Sequence, residues 1–245
     1  MKDFLAFFAR NTPPASVIFG LGPIFLAWAY ACLAFAGYLK SSRNLRTGYT
    51  RKTFHILTFL TAAALQVTVG LPIVCLFGGM VTIVLAYALL RGAGHPLYEA
   101  IAREKDEPYR TYYIIVPYLA TLLGGIAGNI WFGPVALIGY LVGGLGDAAG
   151  EPVGTRWGKH RYVVPTFSQV KTTRTIEGSL GVFAASLVAI AVGVLLTPEI
   201  HFRAACMISI PAIAMVCTIL EAISPHGWDN ATMQLAPALL AAILL

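Results

Sequence analysis

A chain of 245 residues with 58% hydrophobic and 11% charged side chains, and a mean hydropathy of +0.74, carries more apolar surface than a soluble domain of that length can hide. The composition excludes an ordinary soluble enzyme and predicts an all-α, multi-pass transmembrane bundle forming a single membrane domain over residues 1–245. A net charge of +6 raises nucleic acid as a partner, but the placement of the charges gives a better account and no nucleic-acid partner is expected.

The amino-terminal stretch MKDFLAFFARNTPP has a short apolar patch broken by Arg10 and Pro13. It lacks the longer apolar core and small-residue cleavage site of a signal peptide, and we expect an uncleaved interfacial lead-in. Seven long apolar runs follow, near 16–39, 53–69, 71–90, 112–131, 133–150, 176–196 and 204–223, with an eighth from about 230 to the end. Each approaches the roughly 20 residues that span a bilayer, so seven to eight spans are expected. The second and third runs are separated only by the Gly70 to Pro72 corner, which predicts a tight hairpin there.

With the amino terminus outside, loops near 40–52, 91–111 and 151–175 fall in the cytoplasm. They hold Lys40, Arg43, Arg46, Arg51 and Lys52, then Arg91, Arg103, Lys105 and Arg110, then Arg156, Lys159, Arg161, Lys171 and Arg174. Only Lys2, Arg10 and Arg203 remain for the other side. This asymmetry is the positive-inside pattern, and it sets the orientation. Cys32, Cys75, Cys206 and Cys217 lie in apolar runs without CxxC spacing and read as small hydrophobes.

Arg51 and His55 are four residues apart and share a helix face. They serve either as snorkelling anchors or, with Lys52, as a phosphate-binding cluster. The 91–111 loop, with Glu99, Glu104, Asp106 and Glu107 among its cations, reads as solvated surface. Gly124, Gly125 and Gly128, then Gly139, Gly143, Gly144 and Gly146, allow close helix approach or close approach of a ligand to backbone. Away from Asp147, helix packing is the simpler reading.

The stretch from Gly143 to Gly181 is a polar island between apolar runs. Asp147 lies inside an apolar segment, where an ionisable group is costly and marks a functional site by default. Asp147 and Glu151 are four apart and share a face if a helix runs through Pro152, which disfavours it. Converging carboxylates suit a hard divalent cation such as Mg²⁺. The alternative is a structural ion pair between Asp147 and a cation such as Arg51. Lys171 and Arg174 precede a helix start, where free N–H groups and the dipole attract phosphate, and Thr173 or Thr175 can cap it. Glu177 in the first turn also suits the dipole alone. The seventh run ends in LEAISPHGWDN, so Glu221, His226 and Asp229 return to the same membrane face. Carboxylates, cations and a helix start together describe phosphoryl or nucleotidyl transfer. Neither a Walker GxxxxGK[ST] sequence nor a kinase GxGxxG loop with HRD and DFG is present.

GDAAGEPVGTRWGKH followed by KTTRTIEGSLG resembles the GDxxAxxxGxxxGK…K(T/S)xEGS pattern of the CTP-dependent lipid kinases, the dolichol and phytol kinase group. A related pattern occurs in phosphatidate cytidylyltransferases. RKTFH at Arg51 to His55 is similar to the RKxxH element of the kinase branch, and DNATMQL from Asp229 to its DN(L/F)T segment. The resemblance covers residues 51 to about 235. Two departures stand out: Glu151 replaces a small or neutral residue, and PHGWD at 225–229 is similar to the HGGxxDR segment of the cytidylyltransferases, with Asn230 in place of the Arg.

The resemblance implies a multi-pass membrane enzyme, in the cell membrane if the source is bacterial, that uses CTP and Mg²⁺ to modify a lipid. Asp147 and Glu177 would be catalytic, and Asp147 and Asp229 would hold metal, with Glu151 added as a third metal ligand on its spacing from Asp147 and not on the resemblance. Arg156, Lys159, His160, Lys171, Thr172, Arg174 and Gly178 would surround the nucleotide, with Arg51, Lys52 and His55 on the lipid or phosphate side. The expected reaction phosphorylates a long-chain isoprenoid alcohol of phytol, dolichol or polyprenol type, in a chain that admits a homodimer. Cytidylyl transfer to phosphatidate is the second reading. The third is a transporter with Asp147 as coupling site, which has little use for a long basic loop. The orientation is testable by cysteine-accessibility labelling in intact cells. Positions 45, 105 and 165 should be protected and position 200 labelled; labelling of 165 from outside contradicts it.

Overall fold

The computed structural model describes residues 2–166, 172–201 and 203–245, and Lys171 lies outside the described residues. The chain divides into two compact units, Met1–Lys105 and Asp106–Leu245.

The first unit contains α1 (Lys2–Asn11), α2 (Ala15–Ser42), α3 (Thr47–Thr68), α4 (Leu71–Arg91) and the single turn α5 (Pro96–Glu99). Pro13 and Pro14 separate α1 from α2, since proline cannot continue a helix but starts one well. Helix α2 packs on α3, α4 and α5. Gly70, at φ 104°, with Pro72 just inside α4, makes the sharp α3–α4 corner that the sequence predicts. The basic connection is shorter than expected, because both helices run into it and leave only residues 43–46. Thr47 holds the start of α3. Its hydroxyl accepts from Lys40 Nζ at 2.7 Å and donates to Glu104 at 3.0 Å, and Lys40 also pairs with Glu104. One turn on, the Thr50 hydroxyl donates to the Ala100 carbonyl at 2.7 Å.

The second unit opens with α6 (Tyr112–Phe132), a 3₁₀ turn at Gly133–Val135 and α7 (Ala136–Leu141). A π-helical turn at Val142–Gly146 leads into α8 (Asp147–Trp157), then strands β1 (Arg161–Val164) and β2 (Thr172–Thr175). Helices α9 (Ile176–Leu196), α10 (Cys206–Ile223) and α11 (Asp229–Leu244) complete it. Every apolar run of the sequence is a helix here, and the class is all-α. Among the described residues, five segments are long and apolar enough to cross a membrane: Ala15–Ser42, Leu71–Arg91, Tyr112–Trp157, Ile176–Leu196 and Cys206–Ile223. The third folds back on itself at Gly133, where φ is 54°. Gly128 faces Ala136 and Gly125 faces Tyr140, so its two legs are antiparallel.

Helix α11 packs against α6, α7 and α10. Its register on α6 is set by amides: Asn230 Nδ2 donates to Pro117 O at 3.0 Å and Thr121 Oγ1 at 2.9 Å, and Gln234 Nε2 donates to Thr121 O at 3.1 Å. Buried amides satisfied in this way penalise slippage, since a displaced donor would be stranded among apolar groups. Gly124 and Gly139 admit α11 closely, for a Cβ on either would collide with Gln234.

Helices α8 and α9 are antiparallel and pack closely. Gly146, Gly150, Gly154 and Gly158 recur every four residues on the α9-facing side, opposite Ser186, Val182, Gly178 and Thr175. A Cβ at Gly178 would stand 2.8 Å from the Gly150 carbonyl oxygen. Small residues at this spacing let two backbones meet. Gly178→Ala should therefore lower stability by about 1–3 kcal/mol. Gly79→Ala, where an added methyl meets nothing within 4 Å, should be neutral or stabilising by up to about 1 kcal/mol. Thermal melts in one detergent compare them directly, and equal melting points would contradict the close α8–α9 contact.

Candidate functional site

Asp147 is delivered by the π-helical turn, whose sequence VGGLG supplies the backbone freedom that wider winding needs. Such turns recur where a helix must re-aim a side chain. Asp147 is 3% exposed. Helix α8 continues through Pro152 to Trp157, so the shared helix carrying Asp147 and Glu151 is present. After α8 the chain makes a β-hairpin that pairs Arg161 with Thr175, Tyr162 with Arg174, Val163 with Thr173 and Val164 with Thr172. The sequence reading took this stretch as loop. The hairpin is pinned to α9 by Tyr162, whose hydroxyl bonds Ser179 Oγ at 2.7 Å.

That register sends Arg174 into the unit. Its Nε donates to Glu221 Oε1 at 2.8 Å and its Nη2 to Asp229 Oδ2 at 2.5 Å. Glu221 lies in the last turn of α10, and Asp229 is the first residue of α11. Carboxylate oxygens of Asp147, Glu221 and Asp229 all lie within 4.8 Å of one another, and all three residues are buried. Burial opposes the charge on Arg174, but the carboxylates of Asp229, Glu221 and Asp147 outweigh it and hold the guanidinium pKa above its ordinary value. Three buried carboxylates thus converge beside one guanidinium. Buried carboxylates are expensive unless cations complete them. Converging hard oxygen donors fit a divalent cation such as Mg²⁺.

The corner before Asp229 is also fixed. His226 N donates to the Pro165 carbonyl at 2.9 Å, its Nε2 lies 3.8 Å from Asp106 Oδ1, and its ring stacks on Tyr113 at 4.7 Å. Gly227, at φ 94°, makes the turn into α11.

Two of the three residues expected to hold metal, Asp147 and Asp229, are brought together. Glu151 stands one turn along α8, half-buried and outside this group. Glu221, which the sequence reading placed on the same membrane face without assigning it a role, converges with Asp147 and Asp229 instead. Its signal was available: a carboxylate in the last turn of an apolar helix opposes the helix dipole and calls for a cation.

Glu177 is not one of the three. Its Oε2 accepts from the Lys159 and His160 backbone N–H groups at 3.0 and 3.3 Å, and its Oε1 pairs with His160 Nδ1 at 2.7 Å. It therefore ties the turn after α8 to the start of α9. Arg156, Lys159 and His160 are exposed, and Arg156 also lies 5.3 Å from the Trp157 ring centroid. Thr172 is buried in β2, and Gly178 lies in the α8–α9 contact. Thr175 caps α9, its hydroxyl accepting from Gly178 N at 3.0 Å. Arg51, Lys52 and His55 are in the first unit, within α3. Lys52 is buried there, Arg51 and His55 are half-buried, and the His55 ring lies 4.5 Å from that of Phe59.

No family model matches the chain, and no solved structure does. It is similar to a phytol kinase of Synechocystis sp., 35% identical over 106 residues, which is 43% of this chain and 42% of the relative. The match thus spans less than half the length of that curated protein.

Glu177→Gln tests the anchoring geometry. Hydrogen exchange at the Lys159 and His160 amides should accelerate, because an amide group holds them less tightly than a carboxylate. Protection in α11 should be unchanged. Undisturbed exchange at 159 and 160 contradicts the anchoring role.

Proposed function

We propose that this chain is a membrane-embedded kinase that transfers the terminal phosphate of CTP to the hydroxyl of a long-chain isoprenoid alcohol, at the cytoplasmic face. The observation that carries this reading is the buried group of Asp147, Glu221 and Asp229 around Arg174. It stands beside a capped helix start and a turn bearing exposed cations. The partial similarity to a phytol kinase supports phosphoryl transfer to a prenol-type lipid, and the motif resemblance supports CTP as donor.

In this reading Asp147, Glu221 and Asp229 would hold Mg²⁺, which would supply positive charge against the phosphate oxygens. Arg156, Lys159 and His160 take up triphosphate charge, with the N–H groups at the start of α9. Glu177 keeps the turn that carries Lys159 in register. The alcohol oxygen bonds to the terminal phosphorus, the bond from that phosphorus to the bridging oxygen breaks, and CDP leaves. The hydroxyl proton passes to a carboxylate, for which Asp147 is our choice. Positioning and charge stabilisation account for most of the rate in such transfers. Arg51, Lys52 and His55 remain the expected contacts for the lipid or its phosphate.

Purified protein in detergent should turn over CTP with phytol or a polyprenol far faster than ATP, releasing CDP, and Mg²⁺ chelation should abolish turnover. Release of pyrophosphate with phosphatidate as acceptor would support the cytidylyltransferase reading instead. Asp147→Asn and Glu221→Gln should each slow turnover by at least about a hundredfold, or about 2.7 kcal/mol of transition-state stabilisation. Glu151→Gln should cost much less. Near-normal turnover by a well-folded Asp147→Asn protein overturns the site.

A further inference from the structure

We propose that Arg174 acts as a resident counter-cation that makes the carboxylate group a weak metal site on its own and a strong one only together with a polyphosphate. The inference rests on the proposed reading of Asp147, Glu221 and Asp229 as metal ligands and assigns Arg174 a positioning role in it. In the sequence alone this arginine belongs to a basic loop and looks like an exposed phosphate ligand. In the structure its side chain is 13% exposed, and two of its nitrogens are committed to carboxylates.

Three observations carry the argument. The guanidinium spans two different carboxylates, through Nε to Glu221 Oε1 and through Nη2 to Asp229 Oδ2. Both acids belong to the group whose oxygens converge with Asp147, so a cation entering there meets a charge already in place. The third nitrogen, Nη1, is buried and has no hydrogen-bond partner among the described residues.

The consequences follow from elementary electrostatics. A fixed positive charge beside two of three ligands repels an incoming divalent cation and competes for the same oxygens. Metal affinity without phosphate is therefore lowered. The arginine cannot lose its proton to relieve this. A phosphate group changes the balance, because its oxygens can accept from Nη1 and also take a place on the metal. A buried N–H without a partner is costly, and the phosphate removes that cost as it arrives. Metal and polyphosphate then favour each other, and by linkage each raises the affinity of the other equally.

The test uses Mn²⁺ alone as the metal probe, followed by electron paramagnetic resonance, and equilibrium dialysis of CTP with and without Mn²⁺. The whole 245-residue chain is held in detergent. Arg174→Gln should bind Mn²⁺ at least about tenfold more tightly than the wild type, since a competing charge is gone. Its melting temperature should rise more on adding Mn²⁺ than the wild type's does, because the ion replaces the lost guanidinium. In the wild type Mn²⁺ should raise CTP affinity by about tenfold or more, and in Arg174→Gln by less than about threefold. Arg174→Lys keeps the charge without the fork. It should bind Mn²⁺ alone within about threefold of the wild type but show weaker coupling to CTP.

Equal or weaker Mn²⁺ binding by Arg174→Gln overturns the inference. It leaves the proposed function standing if Asp229→Asn still abolishes Mn²⁺ binding. Failure of the wild type to bind Mn²⁺ in the presence of CTP overturns both. Should Arg174→Gln melt too early for titration, Arg174→Lys decides: coupling equal to the wild type's contradicts the role given to Nη1.

Discussion

One guanidinium shared between two buried carboxylates, with a third acid close by, is the constraint on which the second unit depends. Arg174 reaches Glu221 and Asp229 from a strand, while its partners lie at the end of one helix and the start of the next. None of these elements can move far without exposing an uncompensated charge to an apolar interior, a loss worth about 3–5 kcal/mol for a broken buried pair. The bridge therefore fixes the hairpin against the α10–α11 corner. Asp147 enters the same space from α8, by way of the π-helical turn.

Supporting contacts keep that geometry from relaxing. The glycines at 146, 150, 154 and 158 let α8 lie against α9, and this closeness places Asp147 and the hairpin within reach of each other. Asn230 and Gln234 fix the register of α11 on α6, which fixes where Asp229 begins. Glu177 and the Thr175 cap hold the start of α9.

The helices were legible in the sequence because apolar runs of spanning length have few alternatives, and Gly70 with Pro72 marked the α3–α4 corner. Asp147 was legible for the same reason in reverse, as a charge where none belongs. The hairpin was missed because TRWGKHRYVVP reads as basic loop, although the β-branched Val163, Val164, Thr172, Thr173 and Thr175 carried a strand signal. Glu221 was left out of the ligand set because its meeting with Asp147 is a matter of tertiary packing, which spacing along the chain does not encode. For Arg174 the charge is legible in the sequence but its direction is not. A one-residue shift in the hairpin register would turn it to the opposite face.

On the proposed reading, Asp147, Glu221 and Asp229 form one divalent-cation site, with Arg174 as its internal counter-charge. Anomalous diffraction from crystals grown with Mn²⁺ and CTP would locate the ion. The expected Mn²⁺ peak lies within about 2.0–2.5 Å of oxygens from all three carboxylates, with phosphate density beside Arg174. A peak held by other residues, with the Arg174 bridge undisturbed and the three carboxylates free of metal, would contradict that reading.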